Sequence, residues 1–253
     1  MTTLSFAPAP GAAPASRRVV RHALVESRLL LRNGEQLLLA LVIPLAILVA
    51  GRVLGGRFGS LDTLAPSVLG LAVWSSAFTS VAIATGFERR YGVLERLAAT
   101  PLGRSGLLAG KALAVFLVLL GQLLLLTVAA LLLGWRPHFT AGSLGLAVLL
   151  VLLSTAGFVC LALLIAGRLR AEVTLALANL VYVVLLVGGG LVLPLSRYPA
   201  AVRPVLEVLP TAALGEGLRA ATAGQLLGWP LITTSTWLLV AGLAAWKGFR
   251  WTA

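Results

Sequence analysis

Residues 107–134, LLAGKALAVFLVLLGQLLLLTVAALLLG, form an unbroken apolar run in which Lys111 is the single charged side chain. A helix rises about 1.5 Å per residue and bilayer hydrocarbon is roughly 30 Å thick, so this run is longer than a membrane needs and is expected to project or tilt. Five further runs share its character, at about 36–51, 67–87, 142–167, 173–193 and 229–246. The expected fold is an all-α integral membrane protein of about six transmembrane helices. Its remaining parts are an N-terminal amphipathic interfacial helix and a proline-broken extracellular re-entrant segment before the last span.

Composition supports this solvent assignment. The 253 residues are 59% hydrophobic and 11% charged, and the mean hydropathy is +1.02. A soluble domain carries about 25% charged residues, and so few charges cannot cover a water-facing surface. The net charge of +12 does not indicate nucleic acid, because the cations sit in the short segments between apolar runs. Of the Lys and Arg side chains, 14 fall on the N-terminal segment, residues 88–111, the turn at 168–170 and the C-terminus, and 6 on the alternate loops. The positive-inside rule then places both termini in the cytoplasm, which requires an even number of spans and agrees with six. Cys160 is the only cysteine, so no disulfide can form within the chain, and its apolar surroundings mark it as a small core hydrophobe.

Residues 1–16 are rich in Pro and Ala and read as a disordered tail; 17–253 read as a single membrane domain. No basic region precedes a short apolar stretch, so the tail is not expected to be a signal peptide. Over 17–34, Arg17, Arg21, Arg28 and Arg32 share one helical face, opposite Val19, Val20, Ala23, Leu24, Leu30 and Leu31. Such a basic amphipathic helix suits the headgroup layer, or alternatively packing on the protein's own surface. Asn33-Gly34 is a turn signal, Pro44 is expected to kink the first span, and 52–66 reads as a loop. The segment 194–228 carries four prolines and three arginines and is too interrupted to span; two short helices at or partly within the membrane fit it. Trp229 and Trp246 bracket the last span, as interfacial tryptophans do.

Catalytic chemistry has little to work with. His22 and His138 are the only histidines, and neither an HExxH motif nor a Cys/His cluster exists for zinc. The stretch from Ser105 to Ala112 fails as a phosphate loop, since Ser105 replaces the first glycine and Ala112 the metal-binding hydroxyl. Ion-coupled carriers need a charged group near the midplane. None of the acidic residues falls mid-span, and Lys111 is close enough to the cytoplasmic end to snorkel. The energy source is therefore expected on a partner. Polar span residues that are candidates to line a pathway are Ser75, Ser76, Thr79, Gln122, Asn179, Tyr182 and the run 233–236; each could equally bond a neighbouring helix. The triple glycine 188–190 allows a bend or a close helix approach.

The most charged stretch, 88–104, contains Glu88, Arg89, Arg90, Glu95 and Arg96 around an expected short amphipathic helix at about 88–99, ended by Thr100-Pro101. In GFERRYGVLERLAATPLGRSGLLAGKAL, the cluster Glu88-Arg89-Arg90 is followed by Gly92-Val93-Leu94-Glu95-Arg96-Leu97, then Thr100-Pro101, then Gly110-Lys111. This pattern resembles the first cytoplasmic loop of ABC-2 type transporter permeases, with Val93 standing where the family usually has Thr. The resemblance extends over most of the chain, including Leu193-Pro194, Leu209-Pro210-Thr211 and Leu218-Arg219. Daunorubicin-resistance-type exporters are the subgroup it suggests.

The resemblance implies a transport subunit and not an enzyme, with no cofactor on this chain and with ATP and Mg on a separate ABC ATPase subunit. Glu88, Arg89, Arg90, Gly92, Glu95 and Arg96 would form the ATPase-coupling element. A second permease copy or homologue would complete a dimer in the plasma membrane of a bacterium, and the substrate would be a hydrophobic or amphiphilic drug, lipid or glycan moved outward. Two readings stand beside this one. A stand-alone carrier or channel would transport in liposomes without any ATPase. A membrane-embedded enzyme or assembly factor would need converging His, Asp or Glu near a span end.

Overall fold

The computed structural model describes residues 11–32, 34–54 and 59–250, with the backbone alone over 34–40. The first ten residues of the expected tail, Asn33 of the expected turn and residues 55–58 of the expected loop lie outside the described residues. No strand occurs among those described. The helices are α1 (Ala15–Arg32), α2 (Gly34–Leu54), α3 (Leu61–Trp74), α4 (Val81–Arg90), α5 (Val93–Ala98), α6 (Gly103–Leu132), α7 (Ala141–Ala166), α8 (Ala171–Gly188), α9 (Arg203–Glu207), α10 (Pro210–Thr222) and α11 (Trp229–Gly248). A π-helical turn, Ser75–Ser80, joins α3 to α4 in one continuous rod, Leu61–Arg90.

That rod and α6, α7, α8 and α11 are the five described helices long and apolar enough to cross a membrane. The remaining expected span, about 36–51, lies within α2, which stays helical through Pro44 and whose described apolar part is Leu41–Leu54. The second span begins earlier than the sequence suggested, because Leu61–Pro66 already belongs to α3. Pro66 falls in the second turn of that helix, past the first-turn positions where a missing N–H costs nothing. Thr140 and Ser143 form a reciprocal cap that starts α7, satisfying two otherwise orphaned amides. The fifth span was expected to reach 193 but stops at Gly188, since Gly190 adopts a left-handed φ of 69° that ends the helix.

Packing explains those glycines. A Cβ on Gly189 would lie 2.7 Å from Thr211 Oγ1, and one on Gly190 would lie 2.8 Å from Ala212 Cβ. The end of α8 therefore approaches α10 closer than any side chain allows. In turn, Thr211 Oγ1 donates to Gly189 O at 2.8 Å.

The interior is built around the α3–α4 rod, and α10 is buried against it. Ten of the 13 residues of α10 are buried, where α3, α7 and α11 pack on it. The proline-broken segment thus does contain two short helices, α9 and α10, but only α9 is largely exposed. Arg219, its side chain 10% exposed, makes this possible. Its guanidinium donates to Gly190 O at 2.9 Å, Leu191 O at 2.8 Å and Ser67 Oγ at 2.8 Å, and pairs with Glu216 Oε1 at 2.9 Å. Glu216 Oε1 also accepts from Leu195 N at 2.7 Å. One planar fork thereby satisfies the carbonyls left open where α8 ends. Deeper in the core, Trp74 stacks on Phe78 at 4.2 Å and meets Phe158 edge-on at 4.7 Å.

The expected amphipathic helix forms as α1. α1 packs along the first half of α6, burying Ala23 and Ser27 and seating His22 against Gly110. Its arginine stripe still faces outward: Arg17, Arg21, Arg28 and Arg32 are all exposed. Val20, Leu24 and Leu31, expected opposite that stripe, are exposed beside it, so the helix keeps an apolar flank for lipid while its opposite side grips the bundle. At the ends of α11, Trp229 is half-buried and Trp246 exposed.

Candidate functional site

The expected helix over 88–99 is divided in two. Glu88, Arg89 and Arg90 form the last turn of α4, the chain turns at Tyr91-Gly92, and α5 is a separate six-residue helix. Gly92 sits at its N-cap with φ 66°, and a Cβ there would meet nothing within 4 Å. The glycine is thus required by the backbone conformation and not by space. Thr100 closes the far side of the corner, donating to Leu97 O at 2.6 Å and accepting from Leu102 N at 3.3 Å.

The six candidate coupling residues consequently do different work. Three brace the corner. Glu88 Oε1 pairs with Lys111 Nζ on α6 at 2.7 Å, Arg89 Nη2 donates to Leu169 O at 2.6 Å, and Arg90 pairs with Glu172 at the start of α8. Glu95 and Arg96 instead point into open space, next to Tyr91 at 62% exposure, while Leu94 on the inner side of α5 is 1% exposed. The Arg90 guanidinium lies 5.9 Å from the Tyr91 ring centre. The arrangement is a small outward handle fixed to three helices.

Lys111 does not snorkel to solvent. It is buried, and besides Glu88 it lies 3.9 Å from Glu26 Oε2 of α1. His22 Nε2 in turn is 3.6 Å from Glu26 Oε1, and burial holds the His22 imidazole below its ordinary pKa, against the pull of Glu26. Sequence reasoning missed Glu26 and His22 as members of this cluster. The available signal was their i, i+4 spacing on the helix face opposite the arginine stripe. It missed the pairing of Arg219 with Glu216 as well, although an i, i+3 pair in an apolar segment is a usable sign.

The pathway candidates also separate. Ser75, Ser76 and Thr79 all fall in the π-helical turn, an irregularity frequent at functional positions. Ser76 Oγ and Gln122 Oε1 are 2.7 Å apart and help line a cavity of about 200 Å³ between α1, α4 and α6. Glu26, Glu88 and Lys111 line the same cavity. Ser75 bonds back to Ala72 O at 3.3 Å, and the buried Thr79 hydroxyl has no hydrogen-bond partner among the described residues. Asn179 and Tyr182 lie apart from the cavity on α8, Asn179 exposed and Tyr182 half-buried against the core. In the run 233–236, Thr234 and Thr236 bond carbonyls of their own helix at 2.6 and 2.8 Å. Among the described residues no group of His, Cys, Asp and Glu could hold a metal ion.

Described residues that form helices and no strands, several of the helices apolar and of membrane length, define a multi-pass membrane protein. Residues 23–223 match the family model of the ABC-2 type transporter, and the chain belongs to that family. It is accordingly an ABC-type transporter permease, a transport subunit, for which the family implies association with an ABC ATPase and with the membrane. No curated protein matches the chain.

Proposed function

We infer that this chain is the membrane half of an ATP-driven exporter, with ATP and Mg bound by a separate ATPase subunit that docks on α5. The observation that carries this reading is the division of labour at the corner. Glu95 and Arg96 are exposed on α5, while Glu88, Arg89 and Arg90 tie the same corner to α6, α8 and the turn between α7 and α8. A push on α5 is delivered to several spans together.

Six spans with α2 as the first, both termini in the cytoplasm of a bacterial plasma membrane, and a second permease copy or homologue complete the assembly. The cargo is a hydrophobic or amphiphilic drug, lipid or glycan. The half-polar cavity holding Ser76 and Gln122 supports this class, because it offers apolar walls with a few hydrogen-bonding groups.

The test is co-purification with the ATPase, followed by ATP-dependent export from reconstituted vesicles. Export that needs both subunits and ATP supports the reading. Transport by this chain alone in liposomes overturns it.

A further inference from the structure

We propose that the groove between α1, α2 and α6 is a discrete binding site for one anionic phospholipid, held by its acyl chain in the groove and by Arg28 at the phosphate. The groove encloses about 420 Å³. One wall is the flank of α1 formed by Leu24, Ser27, Arg28 and Leu31, which share a face at i, i+3, i+4 and i+7. The facing wall is α6 from Leu117 through Gly121 to Leu125, and Leu41 of α2 closes the end. This α6 stretch is about 12 Å long, and a Cβ added at Gly121 would meet nothing within 4 Å, so the space beside it is open.

Charge selects the occupant. Among the described residues, Arg28 is the one charged residue lining the groove, and no carboxylate lines it. Arg28 belongs to the exposed stripe with Arg17, Arg21 and Arg32, so the local field around the groove mouth is positive. Ser27 is already committed to Ala23 O at 2.7 Å and Gln122 to Ser76 Oγ at 2.7 Å, which leaves the guanidinium as the headgroup ligand. The walls beneath are leucines in a helix pair that faces lipid: Leu24, Leu31, Leu117 and Leu125 are all exposed in the chain by itself. An apolar slot with a single cation at its rim matches an acyl chain under a phosphate. It does not match a zwitterionic lipid, whose ammonium would face the same arginines.

The inference requires only that the chain sits in a membrane, and not that an ATPase drives it. The test uses the full chain, purified in detergent and titrated with phosphatidylglycerol or phosphatidylcholine of the same acyl chains, with retained lipid counted by native mass spectrometry. The expected result is one phosphatidylglycerol retained per chain under conditions that strip phosphatidylcholine. Arg28→Gln lowers that retention roughly tenfold, and Gly121→Trp, which fills the groove without touching a charge, abolishes it. Arg17→Gln, on the same stripe about 16 Å along the helix, changes retention less than twofold. Equal retention of both lipids overturns the proposal. So does phosphatidylglycerol binding that survives Gly121→Trp, or that Arg17→Gln weakens as much as Arg28→Gln does, since either result means diffuse attraction to the stripe.

Discussion

Lys111 Nζ lies 2.7 Å from Glu88 Oε1, so the start of α6 and the end of α4 meet through a buried ion pair, with Glu26 of α1 3.9 Å away on the other side of the ammonium. Removing one member of such a pair leaves an uncompensated buried charge, at a cost of about 3–5 kcal/mol. Lys111→Met is therefore expected to lower the melting temperature in detergent strongly. Adding Glu88→Gln to it should restore part of the loss, because the second change removes the stranded carboxylate. A double variant no more stable than Lys111→Met would contradict the pairing as the source of the effect.

Arg219 should resist conservative replacement. Its fork reaches two carbonyls, the Ser67 hydroxyl and Glu216 at once, a geometry that a lysine ammonium cannot reproduce. Arg219→Lys is expected to destabilise by about 2–3 kcal/mol through unsatisfied buried acceptors. Hydrogen exchange should rise in α10 and around 189–195, while α1 and α6 keep their protection.

Gly190 is expected to tolerate nothing larger. The left-handed φ of 69° and the 2.8 Å approach to Ala212 Cβ combine a conformational penalty of roughly 1–2 kcal/mol with a steric one. Gly190→Val should reduce the yield of folded chain far more than Gly188→Val, since a Cβ at Gly188 meets nothing within 4 Å. The yield of monodisperse protein after size exclusion distinguishes the two.

The docking of α1 should weaken in acid. His22 faces Glu26 and Lys111, with Glu88 on the far side of the ammonium, and burial depresses its pKa below the ordinary 6.5. The docked state then binds fewer protons than the undocked one as pH falls. Stability from this residue is complete above about pH 6.5 and is lost as pH drops toward the depressed value. Thermal melts at pH 7.5 and 5.5 should differ more for the native chain than for His22→Gln. A pH dependence identical in the two would remove His22 from this role.

The spans could be read from the sequence because lipid imposes one simple rule, and long apolar runs such as 107–134 and 142–167 satisfy it without reference to any neighbour. The boundaries at Leu61 and Gly188 could not, since a helix start within 52–66 and a stop inside an apolar run depend on what packs there. In the site, Glu95 and Arg96 stand where an amphipathic helix would put them. Glu88 was grouped with them by proximity along the chain, but the turn at Gly92 sends it into a different environment. Burial of Lys111, Arg219 and α10 was hidden for a related reason. A charge inside a bundle is stable only through its partners, and Glu26 and the carbonyls at 190–191 are far away in sequence or are backbone atoms that no residue type reveals.

The affinity between this permease and its ATPase, measured with and without Glu95→Ala/Arg96→Ala, tests the docking role of α5 most directly. Both side chains are exposed, so the variant should insert and melt as the native chain does. Binding should weaken at least tenfold, a change of about 1.4 kcal/mol, with substrate export falling in step. Unaltered affinity and undiminished export in a correctly inserted variant would contradict the assignment of α5 as the place where ATP hydrolysis takes hold of the membrane domain.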